Sequence, residues 1–153
     1  MWKIGTLSIA PYDWLEASYF YYRPRDLRWN DGDGKAGHDL DKGFNIKASY
    51  QPSRNYLPRF AIGLDDLAGT GYFSREYIVS TYDFNHLKLS IGAGWGKYDN
   101  GHGYSNPFGI FSDHFKDRNT VSSKYGGTLS IDEWFSGNAS IFGGIEWFVP
   151  YGR

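Results

Sequence analysis

The sequence predicts an all-β protein built of antiparallel strands, and three observations carry that expectation. First, apolar and polar residues alternate with a period of two in several segments. The alternation is cleanest in LKLSIGAGWGKY, residues 87–98, where Leu87, Leu89, Ile91, Ala93 and Trp95 take turns with Lys88, Ser90, Gly92 and Gly94. That period puts one set on each face of a strand. Second, aromatic residues make up 20% of the chain and glycines number 20, against a single methionine, a balance that argues against a helical bundle. Third, no apolar run approaches the roughly 20 residues of a transmembrane helix, so the chain would meet a membrane only as strands.

The elements follow in order. WKIGTLSI (2–9) reads as a strand and ends at a turn around Pro11 and Asp13. WLEASYFYYR (14–23) places Leu15, Ala17, Tyr19 and Tyr21 on one face. The polar, glycine-rich stretch from Arg23 to Gly43 reads as a long exposed loop. FNIKASYQ (44–51) alternates cleanly, and RFAIGLDD (59–66) puts Phe60, Ile62 and Leu64 on one side. YFSREYIVSTYDF (72–84) reads as a strand with Phe73, Tyr77 and Val79 opposite Ser74 and Glu76. A hairpin turn at 83–86 leads into the 87–98 strand. Residues 98–128 form a second long polar segment, in which FGIFSDHF suits a short helical turn. LSIDEWFSG is ambiguous, and ASIFGGIEWFV (139–149) supplies a last strand.

The chain has 153 residues and a net charge of -1, enough for one domain and too nearly neutral to call for nucleic acid. No basic cluster interleaves with aromatics either. The absence of cysteine excludes disulfides and thiolate metal sites. The N-terminus MWKIGTLSIAPYDW lacks the charged start and apolar block of a signal peptide. Either an export signal has been removed or the chain is a fragment of a longer protein, and the expectation is a single β-domain over 1–153.

Two surroundings suit such strands. Transmembrane barrels alternate apolar-out with polar-in, use strands of about 9–11 residues and join them by short turns on one side and long loops on the other. Their aromatics gather at the lipid interfaces, and Trp2, Trp14, Tyr50, Trp95, Trp147 and Phe148 all sit near strand ends. A soluble β-sandwich or barrel also makes alternating strands. Composition leaves both open.

The segment DKGFNIKASYQPSRNYLPRFAIGLDDLAGTGYFSREYIVSTYDFNHLKLSIGAGWGKY resembles the YjbH-type family of bacterial outer-membrane proteins. The carriers are the DKGFNIK strand start, RFAIGLDDLAGTGYFSREY and LSIGAGWG, joined later by NPFGIF, the YGG at 125–127 and FGGIEW. The resemblance runs from about Trp14 to Gly152. It implies a β-barrel, and the strand pattern, with six good strands and one or two weaker ones, makes it an up-and-down antiparallel barrel, whole or partial, of about eight strands with long loops. It also implies the outer membrane of a Gram-negative bacterium and a link to making or exporting an exopolysaccharide. It transfers no catalytic set. Family members are longer and begin with an export signal.

The candidate sites are few. Asp65, Asp66, Arg75 and Glu76 form the densest charged group near strands. Two carboxylates about 5–9 Å apart can hydrolyse a glycosidic bond, but ion-paired lining of a barrel lumen is the preferred expectation. Asn30 to Gly34 with Asp39 and Asp41 resembles a calcium loop in composition. The EF-hand spacing fails, because Lys35 stands where a ligand belongs and no Glu closes the loop. His38, His86, His102 and His114 lack metal-ligand spacing. No nucleophile elbow or phosphate loop is present, so no cofactor, metal or catalysis is expected. Trp29, Tyr104, Phe108 and Phe111, in long loops, are candidates to stack on sugar rings. Leu89, Ile91, Trp95, Ile145 and Trp147 are the candidate lipid-facing anchors.

The function expected is a non-catalytic part in exopolysaccharide assembly or export. Its partners would be outer-membrane lipid, the polysaccharide and other envelope export proteins. The alternative is a soluble carbohydrate-binding or carbohydrate-active β-protein.

Overall fold

A computed structural model describes residues 3–23, 28–30, 36–38, 41–54, 56–69, 71, 73–99, 101–118, 129 and 131–149. Seven strands form one sheet. They are β1 (Lys3–Tyr12), β2 (Leu15–Arg23), β5 (Asp41–Tyr50), β6 (Arg59–Leu67), β7 (Arg75–Phe84), β8 (Leu87–Gly96) and β9 (Ser140–Trp147). Two three-residue strands, β3 (Arg28–Asn30) and β4 (Ala36–His38), pair with each other inside the β2–β5 connection. The long loop expected there therefore carries its own small ladder, and β5 begins at Asp41 rather than Phe44.

The sheet order is β1-β2-β5-β6-β7-β8-β9, with every neighbouring pair antiparallel. This is an up-and-down meander. It does not close on itself: β1 and β9 are both edges. Because seven strands alternate in direction, β1 and β9 run the same way. Pro11 lies in β1, where a missing ladder N–H is tolerated because the strand is an edge.

Connections differ in length, with both two-residue turns at one end of the sheet and the two longest connections at the other. Two-residue turns at Asp13-Trp14 and Asn85-His86, and the 51–58 connector, lie at one end of the sheet. Asn85 takes φ 52°, the left-handed conformation that Asn adopts readily in tight turns. The other end carries 24–40, 68–74 and 97–139. In the last of these, Pro107–Ile110 and Asp113–Phe115 form short 3-10 turns, as FGIFSDHF leads one to expect. Ile131–Glu133 forms a third, in the stretch whose pattern is ambiguous.

Register sorts the side chains into two faces. One bears Leu7, Ile9, Ala17, Tyr19, Phe44, Ile46, Phe60, Ile62, Ile78, Leu89, Ile91, Ile141, Ile145 and Trp147. The other bears Glu16, Ser18, Asn45, Lys47, Asp65, Arg75, Thr81, Lys88, Ser90 and Glu146. Here β7 departs from the sequence reading. Ile78, Tyr82 and Phe84 join the apolar face, while Tyr77 and Val79 stand on the polar one. Both phases of β7 carry bulky residues, so its own pattern is ambiguous; pairing Ile78 with Ile62 and Ala93 decides it. Phe73 and Ser74 precede the strand and belong to the loop.

The apolar face has almost no cover. Among the described residues only Trp95 and Ala139 are buried hydrophobics, whereas Ile91 is 60% and Trp147 71% exposed. The described residues form no conventional core.

The polar face is braced by ion pairs across adjacent strands. Lys47 meets Glu16 at 2.9 Å, Arg75 meets Asp65 at 2.7 Å, Arg59 meets Asp83 at 2.6 Å and Lys88 meets Glu146 at 3.2 Å. Thr81 and Ser90 share a hydrogen bond of 2.9 Å. Rings lie close over glycines on this face. A Cβ at Gly63 would collide with the Tyr77 ring, and one at Gly92 would stand 2.5 Å from Phe142. Close approach of a ring to the backbone requires glycine at both places. Tyr98 stacks on Phe142 (5.2 Å, 14°) with the Arg75 guanidinium 5.2 Å above its ring. Burial pushes the Tyr98 phenol above its usual pKa, and the Arg75 charge opposes that shift.

Candidate functional site: the two faces and the β8–β9 loop

Three features stand out at the long-loop end, and each is built from residues distant in sequence. The first is the Glu76–Arg118 pair. Glu76 stands on the apolar face, opposite Leu64 on one side and Trp95 on the other. Arg118 Nη1 and Nη2 donate to its two carboxylate oxygens at 2.7 and 2.9 Å, and Nη2 also reaches Ser74 Oγ at 2.8 Å. The Phe135 backbone N–H donates to Glu76 Oε2 at 3.1 Å. A carboxylate buried on an apolar face needs such partners, since an unpaired buried charge is strongly destabilising.

The second is a small aromatic knot on Trp95. Phe108 stacks on the indole at 5.3 Å and 9°, and Phe135 meets it edge-on at 5.2 Å. Phe115 leans on Phe108 at 5.7 Å. The buried Asn106 binds the knot together. Its Nδ2 donates to Phe115 O and Phe135 O, and its Oδ1 accepts from Phe108 N, capping the first 3-10 turn. The backbone bonds between Tyr104 and Ala139, 2.7 and 2.9 Å, tie the start of the loop to its end.

The third is the loop brace at Asp66. The register between β5 and β6 slips beside this residue, which adopts φ 61°. Its N–H donates to Asn45 Oδ1 and its Oδ2 accepts from Phe73 N, both at 3.1 Å. The carboxylate thus holds the 68–74 connection against the sheet.

These placements divide the residues that the sequence picks out. Asp65 and Arg75 lie on the polar face as an ion pair. Glu76 does not join them: alternation turns it to the opposite face, so the four charges grouped in the sequence do not share one surface. Asp66 is buried in the loop brace. Leu89, Ile91, Ile145 and Trp147 lie exposed on the apolar face. Trp95 shares that face by register but is only 1% exposed, because the knot covers it. It is therefore not an outward anchor. Phe108 is that cover rather than a free ring, while Tyr104 and Phe111 are exposed. Trp29 lies in β3 opposite Gly37, its side chain outside the described residues. Trp2, and the 31–35 part of the calcium-like stretch, are also outside them. His114 rests edge-on against Phe115 at 5.3 Å.

Sequence reasoning missed Arg118, Asn106 and Phe135. Nothing in the local pattern marks Arg118 or Phe135, whose partner Glu76 lies 42 and 59 residues away, whereas Asn106 followed by Pro107 carries a helix N-cap signal that could have found it.

Comparison with known proteins adds the family. A family model described as "Exopolysaccharide biosynthesis protein YbjH" matches residues 2–153. A protein of Escherichia coli (strain K12) named "Uncharacterized lipoprotein YjbH" is 30% identical over 152 residues, 98% of this chain and 22% of the relative. The chain thus spans about a fifth of that relative's length. No solved structure matches it. With nearly the whole chain matched, the protein belongs to the YjbH exopolysaccharide-biosynthesis family.

Proposed function

We propose that this chain is part of an outer-membrane β-barrel that serves assembly or secretion of an exopolysaccharide without catalysing a reaction itself. One observation carries the reading. An apolar face extends across all seven strands and, outside the knot on Trp95 and Glu76, is largely exposed among the described residues, while the opposite face holds ion pairs and hydrogen bonds. Monomeric soluble proteins rarely leave so extended an apolar surface to water. Lipid is a solvent that suits it, and the polar face then suits a wet interior. Both two-residue turns lie at one end and the two longest connections at the other, which fits the same architecture. The relative's name, a lipoprotein, fits an envelope location.

The non-catalytic part of the reading rests on how the carboxylates are engaged. Asp65 pairs with Arg75 on one face, and Glu76 pairs with Arg118 on the other. A glycosidase needs two carboxyl groups flanking one bond. The polar face would instead guide or dock glycan and partner proteins of the envelope.

The test is tryptophan fluorescence after refolding the chain into vesicles of brominated lipid, beside matched plain lipid. Strong quenching that falls on Trp147→Phe and is unaffected by Trp95→Phe supports the reading. Absence of quenching, with cooperative unfolding in plain buffer, overturns it in favour of a soluble carbohydrate-binding β-protein.

A further inference from the structure

We infer that the 104–118 segment of the β8–β9 connection is a membrane anchor, with the Ile110–Phe111 tip of its knot seated at the boundary between lipid headgroups and acyl chains. The inference rests on the membrane reading above and adds to it a second lipid contact, outside the strands.

The side on which the loop lies decides the matter. Successive residues of a strand point to opposite faces, so Glu76 and Trp95 project to the same side as Ile78 and Ile91. Phe108 and Phe135 pack on Trp95, and Arg118 and Phe135 bind Glu76. The knot is therefore laid against the apolar face, not folded over the polar one. If the apolar face meets lipid, the knot stands between sheet and bilayer. Its presence there answers a physical need: a bare Glu76 in that row would face lipid, and Arg118 with the surrounding rings removes it from that contact.

The knot's outer surface has the composition of an interface. Ile110 is 82% and Phe111 77% exposed, immediately after Phe108 has turned in to Trp95. Beside them Asp113 and Lys116 form an exposed ion pair, and Asp117 is exposed as well. Apolar side chains beside charged ones, on a segment lying against a lipid-facing surface, suit the headgroup boundary rather than the hydrocarbon centre. Stacking on sugar is the competing use of the Phe111 ring.

The absence of native cysteine makes the test clean. Cysteine is placed singly at Phe111, Ile91 or Ser105 and labelled with an environment-sensitive nitrobenzoxadiazole dye. Each variant is refolded into phosphatidylcholine–phosphatidylglycerol vesicles, with nitroxide quenchers held at shallow or deep positions on the acyl chain. The label at 111 should emit blue-shifted and be quenched several-fold more by the shallow probe than the deep one. The label at 91 should prefer the deep probe, and that at 105 should respond less to either than the label at 111. A water-like signal at 111 with a lipid signal at 91 overturns the anchor and leaves the barrel standing, with Phe111 free for glycan. Water-like signals at both positions overturn the membrane reading and the anchor together.

Discussion

Glu76 and Arg118, 42 residues apart in sequence, meet in a two-pronged ion pair that fastens the β8–β9 loop to the end of β7. Both side chains are largely withdrawn from solvent, at 2% and 12% exposure. Removing one partner of a buried pair costs about 3–5 kcal/mol, mainly because the other charge is left stranded. Arg118→Met should therefore free the loop. Limited proteolysis would then cut within 97–139, and the environment of Trp95 would become more polar. Glu76→Gln combined with Arg118→Met should restore part of the protection, since no charge is left buried. Equal cleavage of wild type and Arg118→Met would show that the pair does not hold the loop.

The glycine–ring interlocks on the polar face make a second prediction. A Cβ at Gly63 has no room beneath Tyr77. Overpacking of this kind costs about 1–3 kcal/mol, so Gly63→Ala should lower the urea midpoint of the chain refolded in detergent micelles. Adding Tyr77→Ala should make the glycine change much less harmful, because the collision disappears. Additive losses in the double-mutant cycle would mean that the two residues do not touch.

The contrast between these two relationships shows what is legible in the sequence. Strand periods are local, so all seven strands of the sheet can be located from alternation, and the short turns from Asp13 and Asn85. The apolar and polar faces of β2, β5, β6 and β8 follow from the same pattern. β7 is different, because Tyr77 and Ile78 are both bulky and only their cross-strand neighbours assign the faces. Trp95 is likewise apolar and in phase with Ile91, yet a loop ring more than ten residues later covers it. Arg118 looks like any loop charge until β7 brings Glu76 beneath it. Such contacts depend on tertiary placement, which no local period encodes.

The open edges yield a third prediction. β1 and β9 run in the same direction, so joining them directly would create a parallel seam in an antiparallel sheet. A continuous antiparallel closure would require an odd number of further strands between them. In the 153-residue chain, backbone amides on the outer sides of β1 and β9 should therefore exchange hydrogen far faster than those of β6 and β7, which pair on both sides. Hydrogen–deuterium exchange in micelles reads this directly. Equally slow exchange at all four strands would mean that the edges are paired, by direct closure or by association of chains, and concentration dependence would separate the two.

The last prediction sets the two faces of β8 against each other at adjacent residues. Ile91 points to the apolar face and lies opposite Ser80 and Gly143. Ser90 points to the polar face, where its hydroxyl meets that of Thr81. A lysine facing lipid near the bilayer midplane costs about 2–4 kcal/mol. Ile91→Lys should thus reduce the yield of folded chain in lipid vesicles sharply. Ser90→Lys gives up one hydrogen bond, worth about 1 kcal/mol, and places its charge among Lys88, Glu146 and Asp83, so folding should largely survive. The comparison is read as heat-modified gel mobility and protease resistance after refolding, with both proteins at the same lipid ratio. Two lysines one residue apart have nearly the same depth along the strand, so a difference between them reports the face and not the position. If Ser90→Lys failed while Ile91→Lys folded, the apolar face would not be the one against lipid and the membrane reading would be wrong.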